Sequence, residues 1–80
     1  MPDVAVFHAL NCSLCERARA QLARLQAELG FELTEVDITG DPALEAAYRE
    51  WLPVVEIGGE RAFVYYLDET AFRRKLSRGA

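Results

Sequence analysis

Two apolar rhythms alternate along the chain, one with the period of strands and one with the period of helices. Val4-Ala5-Val6-Phe7 is an unbroken apolar run that, with His8, predicts a short buried strand. From Leu14 the apolar positions recur at Ala18, Leu22, Leu25 and Leu29, in alternating steps of four and three. That spacing marks one face of a long helix. Glu16, Arg17, Arg24 and Glu28 fall on its other faces, and Gly30 is placed to end it in a left-handed conformation. Phe31 to Ile38 predicts a second strand in which Leu33 and Val36 are out of phase, as an edge position or a bulge would produce. Asp41-Pro42 has the form of a helix cap followed by proline at the first helical position. Leu44, Ala47, Tyr48 and Trp51 then form the apolar face of a second helix. Pro53 precedes a third strand, Val54 to Ile57. Gly58-Gly59 predicts a tight hairpin turn, and Glu60 to Tyr66 returns as a fourth strand. Asp68 caps a last helix, with Leu67 and Phe72 at the spacing of a hydrophobic staple. Arg73, Arg74, Lys75 and Arg78 crowd its far end as a solvated face that complements the helix dipole.

The order is therefore β-α-β-α-β-β-α, an α/β chain. Right-handed crossovers are expected to make the first and third strands parallel neighbours, with helices on both faces of a four-stranded mixed sheet. The hairpin adds an antiparallel edge, and the layout resembles the thioredoxin fold. No linker, repeat or low-complexity tract divides residues 1–80, so a single domain is expected, and a monomer. An apolar share of 51% suits a chain that buries a core. A net charge of −4 argues against nucleic acid as a partner, because phosphate recognition needs a clustered positive field. Met1-Pro2-Asp3 lacks the positive start and apolar stretch of a signal peptide. No apolar run approaches the roughly 20 residues that cross a bilayer. A cytoplasmic location without membrane attachment is the expectation.

The candidate chemistry lies in the chain's two cysteines, Cys12-Ser13-Leu14-Cys15, between the first strand and the long helix. Residues one helical turn apart bring their Cα atoms into the roughly 4.4–6.8 Å window in which a disulfide closes. Cys12, at the first helical position or its cap, faces unpaired backbone N–H groups and the positive end of the dipole. Both favour thiolate, the attacking species. Cys15 lies deeper in the first turn. That asymmetry gives a mechanism: Cys12 attacks a substrate disulfide, and Cys15 resolves the mixed disulfide. Ser13 can donate a hydrogen bond to the sulfur or serve as a plain early-helix residue, and Leu14 offers apolar surface beside it or joins the core.

Two other readings of the pair fit less well. A permanent staple across so short a loop constrains the unfolded chain little and suits a reducing cytoplasm poorly. A structural zinc site takes four ligands as a rule, and beyond the cysteines the chain offers His8, its one histidine. No metal or bound cofactor is expected. Pro53 is the second informative position. It is either an ordinary turn residue or the second half of a cis Leu52-Pro53 bond beside the sulfurs. In the second case the Leu52 backbone would face an extended substrate, open to strand-like hydrogen bonds.

With Cys12-Ser13-Leu14-Cys15, Val36-Asp37-Ile38, Leu52-Pro53-Val54-Val55 and Gly58-Gly59 in this order, nearly the whole chain resembles the glutaredoxin-like members of the thioredoxin superfamily. The resemblance implies Cys12 as nucleophile, Cys15 as resolving cysteine and Pro53 as a cis proline, in a thiol–disulfide oxidoreductase serving redox homeostasis. It implies protein or small-molecule disulfides as substrates, recycled by glutathione or a thioredoxin-type reductase. Asp68 matches the acid that holds the γ-glutamyl end of glutathione as co-substrate. The chain also departs from the pattern. Dithiol glutaredoxins carry Pro-Tyr between the cysteines and a basic residue shortly before them, whereas here stand Ser13-Leu14 and His8-Ala9-Leu10-Asn11. Tyr65-Tyr66-Leu67 occupy the place of the expected glycines. A non-catalytic binding module or redox sensor, and a metal or iron–sulfur carrier, are the alternatives.

Overall fold

The computed structural model describes residues 3–79 and holds four strands and three helices. Met1 and Pro2, on which part of the reading of the N-terminus rests, lie outside the described residues. Strand β1 (Asp3–His8) leads into α1 (Ser13–Leu29), and β2 (Glu32–Asp37) follows. Helix α2 (Pro42–Tyr48) tightens into a 3-10 turn, Arg49–Trp51. The chain then forms the β3 (Val54–Ile57) and β4 (Glu60–Val64) hairpin and ends in α3 (Glu69–Gly79). The element order is the one the apolar pattern predicts, and the sheet order is β2-β1-β3-β4.

The strand directions correct one expectation. The parallel neighbour of β1 is β2, with Asp3 beside Glu32 and His8 beside Asp37, whereas β3 runs antiparallel to β1. The cause lies in the lengths of the two connections. Helix α1 has 17 residues and carries the chain back along the sheet for a second parallel strand. Helix α2 has 7 residues and, at about 1.5 Å per residue, spans roughly 10 Å, half the length of a six-residue strand. The chain therefore re-enters the sheet at the end where β2 left it, and Val54 pairs with Phe7 at the same end of β1.

Both sheet faces are covered. Val4, Val6 and Val55 pack with Leu22, Leu25, Phe72 and Leu76 under α1 and α3. On the opposite face Phe7 and Val54 pack with Ile38, Leu52 and Cys15, and Leu44 and Tyr48 of α2 lie against them. The Tyr48 ring stacks on Phe7 with centroids 4.0 Å apart. Two covered faces resolve the phase break in β2. Leu33 packs against the first cluster and Val36 against the second, in unbroken register with β1. The strand is an edge, and the one irregularity in the described pairing falls instead between Val55 and Glu56 of the hairpin.

The caps fall where the sequence places them. Gly30 ends α1 at φ 75°, Asp41 accepts the N–H groups of Ala43 and Leu44, and Asp68 accepts that of Ala71 at 3.1 Å. Leu67 and Phe72 are both buried, as a staple requires. Gly58 and Gly59, at φ 60° and 84°, make the hairpin turn with the doubly left-handed backbone that matches strand twist. The apolar face of α2 is shorter than the pattern suggests, since Ala47 is exposed and Trp51 is 41% exposed. The switch from about 3.6 to about 3.0 residues per turn after Tyr48 rotates Trp51 off the buried face. Strand β4 also stops at Val64, because Tyr65 turns to φ 67° and the Tyr66 N–H bonds back to the Val64 carbonyl. No helix among the described residues is long and apolar enough to cross a membrane.

Candidate redox-active site

The site is built at the end of the sheet where β1 stops and α1 starts. The intervening loop is held from the side: the Leu10 N–H donates to Thr39 Oγ1 at 3.0 Å, and the Ile38 N–H donates to the His8 carbonyl at 2.8 Å. Asn11 takes left-handed backbone at φ 59°, which turns the chain so that Cys12 arrives extended, at φ −116° and ψ 101°, as the N-cap of α1. Asparagine is among the few residues with a side chain that enter that region at small cost. The Cys12 sulfur then does what a capping oxygen does elsewhere, accepting the Cys15 N–H at 3.2 Å. The Glu16 N–H donates to the Cys12 carbonyl, so the first helical turn closes on the same residue.

Cys12 and Cys15 are joined by a disulfide, with Cα atoms 5.2 Å apart and no other cysteine in the chain. The two sulfurs are unlike in access. Cys15 is fully buried beside Ala9 and Ile38, whereas Cys12 is half-buried at the margin of the same cluster. Leu52, also buried, belongs to that cluster, which brings the loop before β3 against the cysteine pair. The Leu52–Pro53 bond is cis. The Pro53 side chain is fully buried and its carbonyl accepts the Tyr65 N–H at 3.0 Å. Trp51 precedes these two buried residues in the chain, and its ring and that of Tyr65 are exposed. Those rings lie 6.2 Å apart, and the Tyr65 hydroxyl donates to the Glu50 carbonyl at 2.9 Å.

A cavity of about 600 Å³ opens on Cys12 and is lined by the β1–α1 loop with His8, Asn11, Ser13, Glu16, Arg19 and Asp37. Arg19 is gripped from two sides, by Glu35 at 2.6 Å and Glu16 at 3.1 Å, and the hydrogen bond to Glu35 chiefly raises its already high pKa. Asp37 accepts the Thr39 N–H at 2.9 Å. That bond, then one from the Thr39 hydroxyl, holds its carboxyl below the usual range. Among the described residues no group of three or more His, Cys, Asp and Glu side chains is placed to hold a metal ion.

The structure brings Cys12, Cys15 and Leu52 together, with Pro53 directly behind Leu52. Leu14 is half-buried one residue before Cys15, and neither it nor Asp68 lines the cavity beside Cys12. Asp68 is exposed at the start of α3, its carboxylate engaged as that helix's cap. Asn11, Glu16, Arg19 and Asp37 were not singled out as site residues by the sequence, although signals for two of them exist. Glu16 and Arg19 follow Cys12 by four and seven residues, on one helix face. Asp37 joins them only through the parallel register of β1 and β2, which sets it beside His8.

Comparison with known proteins agrees with this geometry. The family described as Glutaredoxin-like domain (DUF836) matches residues 3–77. Uncharacterized proteins of Mycobacterium tuberculosis and Mycobacterium bovis are 34% identical over 82 aligned positions, covering 96% of this chain and 84% of theirs. Among solved structures, protein Ne2328 of Nitrosomonas europaea superposes with a TM-score of 0.78 at 28% identity, over 94% of this chain and 91% of that one. A protein of X. campestris gives 0.75 at 31% identity, over 94% and 96%. Fasciola hepatica thioredoxin, at 22% identity and a TM-score of 0.69 over 99% and 81%, shares the fold.

Proposed function

The chain belongs to the glutaredoxin-like domain family, and from that premise we propose that it is a thiol–disulfide oxidoreductase working through Cys12 and Cys15. The carrying observation is the asymmetry of the pair: a half-buried sulfur at a helix N-cap, bonded to a fully buried one. In the reduced protein the Cys15 N–H and the helix dipole favour negative charge on the Cys12 sulfur, the form that attacks. The Cys12 thiolate attacks one sulfur of a substrate disulfide, and the other half leaves as a thiolate that takes a proton from water. The Cys15 thiol gives up its proton and attacks the Cys12 sulfur. The second half is released as a thiol, and Cys12–Cys15 closes, so two electrons have passed to the substrate. Burial protects Cys15 from intermolecular attack, so the order of the two thiols follows from access. Glutathione or a thioredoxin-type reductase returns the electrons, and a reducing compartment such as the cytoplasm suits the cycle.

Half-buried Leu14 supplies side-chain contact to the substrate in this reading, whereas Leu52 and Pro53, whose side chains are buried, act through the loop's main chain, that of Leu52 pairing with an extended segment. The exposed rings of Trp51, directly before Leu52 in the chain, and of Tyr65 and Tyr66, the first of them bonded to the Pro53 carbonyl, with Leu10 at 66% exposure in the loop before Cys12, favour a protein disulfide as client. Asp68 as a glutathione contact has weaker support, since its carboxylate already caps α3. The test is reduction of a model protein disulfide by the pre-reduced chain, followed by acid quench and thiol alkylation. Cys12→Ser abolishes turnover, and Cys15→Ser accumulates a mixed disulfide through Cys12. Undiminished turnover in Cys12→Ser would refute the assignment.

A further inference from the structure

The cavity beside Cys12 carries an uneven charge that the thiol chemistry does not require. Glu16 and Asp37 both line it, and the single guanidinium there, Arg19, is already shared between Glu16 and Glu35. Asp37 takes part in no ion pair among the described residues, and its hydrogen bonds with Thr39 keep it ionised at neutral pH. The chain's cluster of cations, Arg73, Arg74, Lys75 and Arg78, sits on α3, and none of these residues lines this cavity. The cavity opens on Cys12, so a substrate half seated in it lies against this wall. From this placement we infer that the site selects disulfides that carry positive charge next to the sulfur, with Asp37 and Glu16 as the specificity-determining residues. The inference rests on the thiol–disulfide reading above and narrows its substrate class.

Attack by the Cys12 thiolate spreads one negative charge over three sulfurs, so a cationic arm on the substrate steadies that charge and meets the carboxylate wall together. An anionic arm meets the same carboxylates unfavourably, and glutathione disulfide, which is net anionic, falls on the disfavoured side. Both carboxylates are exposed, so the selection is moderate and sensitive to salt. Electrons and atoms balance as for any client. The substrate S–S bond breaks, two thiols leave, and the Cys12–Cys15 bond forms in their place.

The test uses pre-reduced protein in single-turnover reactions with three small symmetric disulfides: cationic cystamine, neutral bis(2-hydroxyethyl) disulfide and anionic dithiodiglycolate. Each rate is divided by that of a small neutral thiol with the same disulfide, which removes intrinsic reactivity. At about 20 mM salt the corrected cystamine-to-dithiodiglycolate ratio is expected at roughly tenfold, falling severalfold at about 500 mM. Asp37→Asn, which keeps an oxygen for the Thr39 N–H, and Glu16→Gln each lower the ratio about threefold. A corrected ratio near one, or a ratio that neither salt nor both substitutions together change, overturns the charge selection while the thiol chemistry stands. Rates no higher than those of the reference thiol with all three disulfides overturn both.

Discussion

Asn11 and Tyr65 both take left-handed backbone, at φ 59° and φ 67°, Asn11 directly before Cys12 and Tyr65 bonded to the Pro53 carbonyl. For an L-residue that region costs about 1 kcal/mol, less for asparagine, which bonds locally. Tyr65 stands in the stretch where the family resemblance leads one to look for glycines, and its φ supplies a physical reason for glycine there. The tyrosine holds the turn by other means, through its N–H to the Pro53 carbonyl, its hydroxyl to the Glu50 carbonyl and its ring near Trp51. Truncation therefore separates the two contributions. Tyr65→Ala loses the side-chain contacts and keeps the backbone cost, whereas Tyr65→Gly loses the contacts and sheds that cost. Tyr65→Gly should be more stable than Tyr65→Ala by about 1 kcal/mol in urea denaturation, the reverse of the usual order in a regular element. Equal stabilities, or alanine above glycine, would remove the argument that the backbone here asks for glycine.

At the scale of elements, α1 and the hairpin were legible because their signals are local. A period of four and three, a glycine at the end and Gly58-Gly59 at the turn each specify backbone without help from the rest of the chain. The relation of β3 to β1 was not legible, because it depends on how far α2 carries the chain, and the apolar pattern placed Trp51 on that helix. Leu33 and Val36 misled in a related way, since an out-of-phase strand reads as irregular until both sheet faces are known to be covered. The cysteine pair was legible from spacing, but its charged wall joins residues from α1 and β2 that only the folded register brings together. The shortened face of α2 makes a prediction against the pattern. Ala47→Glu should change stability by no more than about 0.5 kcal/mol, because the position is exposed, whereas Leu44→Glu places a charge against the apolar cluster of Phe7 and Leu52 and should cost several times more. The two variants differ in urea midpoint if the helix ends as described. Equal losses would mean that Ala47 faces the core. At the other end of α2, Asp41→Ala removes the acceptor of two backbone N–H groups and should cost about 1 kcal/mol.

For the whole molecule, the charged groups bound the pH range in which this fold is most stable. Glu28, Asp37, Glu45 and Glu69 all have folded pKa values below their ordinary ones. Hydrogen bonds dominate each shift: from Arg73 to Glu28, from Thr39 to Asp37, from Arg49 to Glu45, and from Gln21 to Glu69. A depressed carboxylate pKa means that the unfolded chain binds protons more readily, so these groups add stability above the unfolded value, and that addition is lost as pH falls through the folded values. The loss should begin below about pH 5 and continue beneath the ordinary carboxylate range near pH 4. At the other limit Tyr48 is raised, first by burial and then by its hydrogen bond to Glu56. A raised tyrosine pKa contributes stability below the unfolded value, and that contribution is lost as pH rises through the folded one, above about pH 10. Two of the shifted carboxylates tie α1 to α3, Glu28 through Arg73 and Glu69 through Arg24 at 2.5 Å. Protonation of these carboxylates should therefore loosen that helix pair ahead of the sheet. Amide exchange followed from pH 7 to pH 3 should show α3 losing protection before β1 and β3. The urea midpoint should fall at both ends of the pH scale, and Tyr48→Phe should remove the alkaline fall and leave the acid one in place. An acid limb that begins with the central strands would mean that the carboxylate contacts between α1 and α3 do not govern it.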